Sequence, residues 1–75
     1  MRIITFDNLF SKTKGICKEL KITVPSREAV YETAEAVAYD LLSFVAYNNT
    51  SKILRERAFN VASDLHKWAE ENVTC

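Results

Sequence analysis

One histidine, His66, two cysteines, Cys17 and Cys75, and the spaced carboxylates Glu32, Glu35 and Asp40 are the residues of this chain that could do chemistry. A histidine activates a serine or cysteine only within hydrogen-bond reach. Nothing in the spacing brings Cys17 to His66. Glu70 follows His66 by four residues, one helical turn, which suits an exposed ion pair. There is no CxxC and no HxxxH, so no metal site is expected. A pair drawn from Glu32, Glu35 and Asp40 could serve general acid–base catalysis. The same carboxylates equally make a solvated helix face. A single glycine excludes phosphate-cradling loops. The expectation is therefore a protein that is not an enzyme, with no catalytic residue, no cofactor and no metal.

Two basic clusters point to other chemistry. Lys12, Lys14 and Lys18, followed by Lys21, fall on one segment, and Lys52, Arg55 and Arg57 crowd "SKILRER". Cations at a helix N-terminus oppose its dipole at a cost of a few tenths of a kcal/mol up to about 1 each. A nucleic-acid-binding protein would use such residues on phosphates. The charge balance argues against it. Residues 1–27 carry Arg2, Lys12, Lys14, Lys18, Lys21 and Arg27 against Asp7 and Glu19, a net +4. Residues 28–75 balance this at net −4, and they hold the second cluster. If the last two helices run antiparallel, Lys52, Arg55 and Arg57 instead meet the C-terminal end of the preceding helix, where cations are favoured.

The elements that must carry these residues are mostly helical. Seventy-five residues make one domain, 1–75, and one Gly with one Pro is too few for a fold of short strands. "MRIITF" reads as a short strand or extended arm, with Asp7 as N-cap of a helix running to Leu20. Leu9, Phe10, Ile16, Cys17 and Leu20 form its apolar stripe, and Gly15 costs it about 1 kcal/mol against Ala. Pro25 blocks helix at Val24, and Ser26 caps a second helix reaching Tyr47. "NNTS" at 48–51 interrupts the chain. Leu54, Ala58, Val61, Leu65 and Trp68 then mark a third helix ending near Asn72. The expected fold is mainly α, a compact three-helix domain with an N-terminal strand-like arm. The alternative is α+β, with a two-stranded sheet from residues 2–6 and 21–24.

The second helix contains "AEAVAYDLLSFVAY", which is apolar on more than one side. Extending it to the ~20 residues of a membrane span adds Glu32 to Glu35 and Asp40, so no insertion is expected. Val30, Ala34, Val37, Leu41, Phe44 and Val45 share one broad face, the expected core. Glu32, Glu35, Tyr39, Asp40, Ser43 and Tyr47 share the opposite one with Ala36 and Ala46. Tyrosine buries ring area while keeping a polar tip, which suits interfaces. The sequence thus points to a small cytoplasmic regulator or inhibitor that binds another protein through this face, as one-domain bacterial or phage proteins do. Self-association into a homodimer is a further use of it. Nucleic-acid binding through Lys12, Lys14, Lys18, Lys52, Arg55 and Arg57 is the alternative. No signal segment is visible, so the sequons at 48–50 and 72–74 are expected to carry no sugar, and Cys17 and Cys75 no disulfide.

Overall fold

A computed structural model describes residues 5–72 as four helices: α1 (Phe6–Leu20), α2 (Arg27–Glu32), α3 (Ala34–Tyr47) and α4 (Lys52–Asn72). The chain is mainly α. The expected N-terminal arm lies largely outside the described residues; of those described, Thr5 is extended and Phe6 already belongs to α1. Thr5, not Asp7, is the N-cap: its Oγ1 accepts from the Asn8 amide at 3.3 Å. Asp7 moves into the first turn, where the dipole favours a carboxylate. Residues 21–25 form no strand.

α1 runs unbroken through Gly15 because its stripe is well buried: Leu9, Thr13, Ile16, Cys17 and Leu20. The Thr13 hydroxyl, inside the core, donates to the Leu9 carbonyl at 2.9 Å, so its burial leaves no orphan. The helix ends in a Schellman turn. The Ile22 amide donates to Cys17 O at 3.0 Å and the Lys21 amide to Lys18 O at 3.1 Å. Lys21 itself adopts φ 61°, ψ 40°, a left-handed position more often given to glycine.

Ser26 caps α2 as its sequence position suggests, accepting from the Ala29 amide at 3.1 Å. The expected single helix from Arg27 to Tyr47 is broken at Thr33, whose φ of −130° and ψ of 43° are not helical. The Thr33 hydroxyl donates to the Ala29 carbonyl, a back-bond that bends helices. Asn48 stops α3 by donating from its side chain to Phe44 O at 2.9 Å. Ser51 then caps α4, accepting from the Leu54 amide at 3.2 Å.

α4 is the central rod. α3 packs on it most extensively, and α1 packs on it next. Ala58, Val61, Ala62, Leu65 and Ala69 of α4 meet Val37, Ala38, Leu41 and Val45 of α3 and the α1 stripe in one core. The alanines let the backbones approach, and each fully buried Leu or Ile contributes about 1.5–3 kcal/mol.

An aromatic cluster closes the far end. Phe6 lies edge-on to Tyr31 with centroids 5.2 Å apart, and 5.2 Å from Trp68; Tyr31 and Trp68 are 5.7 Å apart. The Arg27 guanidinium sits 4.9 Å above the Phe6 ring while its Nη2 pairs with Asp7. This cluster ties the start of α1 to α2 and to the last turns of α4.

Candidate protein-binding face

The outer side of α3 is shaped by the register of the core. With Val37, Leu41 and Val45 turned inward, helix geometry sends Tyr39, Ser43 and Tyr47 outward. All six residues expected to form a protein-binding face are exposed: Glu32, Glu35, Tyr39, Asp40, Ser43 and Tyr47. Tyr39 keeps 72 % of its surface and Tyr47 88 %, so neither ring lies flat on a neighbour.

The six do not form one uniform patch. Glu32 and Glu35 flank the break at Thr33 and line a groove with Tyr31 and Glu70 of the last α4 turns. Asp40 turns the other way, into a cleft with Cys17, Ile22, Pro25 and Phe44 under the α1–α2 connection. Tyr47 lines a third groove, at the C-terminal end of α3, with Leu42, Ala46, Arg55 and Phe59. The face therefore has an acidic end, a tyrosine-bearing middle, and an aromatic end that borders on a cation.

The acidic end includes His66. Its Nδ1 is 3.4 Å from Glu35 Oε1 and its Nε2 is 3.4 Å from Glu70 Oε2. The two carboxylates stand on opposite edges of the imidazole, so the three groups do not converge on one point as the ligands of a metal would. Among the described residues no group of three or more His, Cys, Asp or Glu side chains could hold a metal ion. Cys17 is buried, and that burial pushes its thiol above its ordinary range. A thiol kept protonated is a poor nucleophile.

Phe59 was not singled out by the sequence as part of a face. It falls just off the buried stripe of α4, about 100° around the helix from Ala58 and about 60° from Ala62, and remains 51 % exposed. Ile53, 70 % exposed, is also on α4. A large apolar residue beside, but not in, a regular helical stripe was the available signal.

The basic residues of the alternative reading are spread over two helices and largely engaged. Lys12 Nζ pairs with Asp64 at 3.5 Å and Arg57 pairs with Glu19. Lys12 and Arg57 border one groove between α1 and α4 beside Gly15. Lys14 lies 5.3 Å from the Phe10 ring centre. Arg55 donates to Thr50 O at 3.3 Å, at the C-terminal end of α3 where a cation is favoured. Lys18 and Lys52 are exposed. No helix among the described residues is long and apolar enough to cross a membrane. Comparison with protein families, characterised proteins and solved structures returns no match for this chain.

Proposed function

We propose that this chain is a small non-enzymatic cytoplasmic protein that regulates or inhibits another protein by covering part of its surface. The observation that carries the reading is the exposure of Tyr39, Tyr47 and Phe59 on the neighbouring helices α3 and α4. Large rings gain most from being taken out of water, and interfaces concentrate energy in such anchors. Glu32 and Glu35 at one end favour a partner with a basic surface and speed its encounter. The basic residues give the alternative less to draw on, since Lys12 and Arg57 already have acidic partners. Retention on DNA or RNA at low salt that falls with added salt would restore it.

The test is a double substitution, Tyr39→Ala with Tyr47→Ala. Both side chains are exposed, so the circular dichroism spectrum should not change and stability should move by no more than about 0.5 kcal/mol per site. Capture of proteins from extracts of the native host should be lost. Unchanged capture by a folded double variant refutes the reading. Unfolding of the variant refutes it too, because those tyrosines would then belong to the core.

A further inference from the structure

Tyr39 and Tyr47 stand four residues on either side of Ser43 along α3. A two-fold axis through Ser43, with α3 antiparallel to its copy, sets each Tyr39 against the other copy's Tyr47. The same rotation carries position 35 to a point about one turn past the C-terminal end of the other copy's α3, which stops at Tyr47. Glu35, eight residues or about 12 Å from the axis, would then arrive at the start of the other copy's α4. Lys52 and Arg55 are there, and Arg55 shares its groove with Tyr47 and Phe59. The face is thus acidic at one end, aromatic through the middle and basic at the other, and it matches itself when turned over. Ser43 at the crossing and Ala46 one turn on leave room for two helices to approach.

We propose that the occupant of this face in the free protein is a second copy of the chain, docked antiparallel about Ser43. The proposal rests on reading this face as a protein-binding surface and names its first partner. The strength can be bounded. The exposed parts of Tyr39, Tyr47 and Phe59 equal about two whole rings, or roughly 400 Å² per copy at about 200 Å² a ring. Two copies bury about twice that from the rings alone, which falls short of the roughly 1,200 Å² of a stable interface and needs the surrounding contacts to reach it. The dimer is therefore weak and concentration-dependent. A target protein competes for the same rings, so self-association holds the face covered at high concentration and releases it on dilution.

The experiment is sedimentation equilibrium of the full chain from about 1 µM to about 1 mM, a range that brackets weak association. Two charge reversals accompany it: Glu35→Arg in one variant, and Lys52→Glu with Arg55→Glu in another. The second places acids at the α4 N-terminus, where that dipole favours them, but gives up the Arg55 bond to Thr50 O, so circular dichroism of both variants first establishes that each is folded. The wild-type chain should show a monomer–dimer equilibrium. Each variant alone sets like charges together at both ends and should dissociate at least about tenfold more readily. An equimolar mixture of the two should re-form a dimer, because both ends are then complementary. A monomer at every concentration overturns the proposal, as does a dimer indifferent to the reversals or a mixture that stays monomeric. Failure here is separable from failure of the binding reading. A monomer whose Tyr39→Ala, Tyr47→Ala form loses its host protein rejects the dimer and keeps the face.

Discussion

The chain's one glycine lies where the backbone does not need it, and a lysine occupies the position that favours one. Moving the glycine should stabilise the protein. Gly15 lies in the middle of α1, and a Cβ built there meets nothing within 4 Å. Gly15→Ala therefore adds no clash and recovers the helix penalty of about 1 kcal/mol. Lys21 holds φ 61° at the Schellman turn. A left-handed L-residue costs roughly 1–2 kcal/mol, of which Lys21→Gly recovers about 0.5–1 after the greater freedom of glycine in the unfolded chain. The two sites act separately, one on helix propensity and one on the turn, so the effects should add to about 1.5–2 kcal/mol. For a domain of this size that is a rise of roughly 6–16 °C in melting temperature. Thermal and urea unfolding followed by circular dichroism measure it, with the urea slope unchanged. A Gly15→Ala variant that is neutral or less stable would show that the space beside Gly15 is not open. A destabilised Lys21→Gly variant would show that α1 does not end in a left-handed turn. Either result refutes the reasoning.

Two further outcomes follow from buried polar groups. Because burial raises the Cys17 thiol above its unfolded value, folded Cys17 binds its proton more tightly than the unfolded chain does. Its contribution is fully present below the unfolded value near 8.5 and is lost as pH rises through the folded one. Urea midpoints should therefore fall from about pH 8.5 upward, and the fall should be smaller in Cys17→Ala. Thr50 Oγ1 is buried without a hydrogen-bond partner among the described residues. Thr50→Val keeps the shape and removes the orphan, so chemical denaturation should show a gain of about 1 kcal/mol.

Helix positions were legible wherever a local signal acts alone. Pro25 and Ser26 marked the start of α2, and the narrow stripe from Leu54 to Trp68 marked α4 with its buried side. The core face of α3 followed from periodicity, with Phe44 and Leu42 left only partly covered. Competing local signals were less readable. Thr5 and Asp7 are both good caps, and the choice depends on Phe6, whose ring joins a cluster with Tyr31 and Trp68 from distant positions. Thr33 breaks a run that propensity alone would continue, through a side-chain bond back to Ala29. The face was legible as a set of exposed positions but not as a surface. Asp40 belongs to a cleft with Pro25, and Phe59 and Arg55 enter from another helix, facts set by how α3 and α4 pack and not by either one's spacing.

The aromatic cluster has a consequence for how the molecule opens. Helix ends ordinarily fray one at a time, each at little cost. Here Phe6 in the first turn of α1 and Trp68 in the last turns of α4 cover each other, with Tyr31 against both. Peeling back either end strips the ring that shields the other. The two segments that should be the least protected against amide hydrogen exchange are thereby joined into one cooperative unit. At the opposite end, the exposed connection around Asn48 and Asn49, beside Tyr47, lies outside this unit.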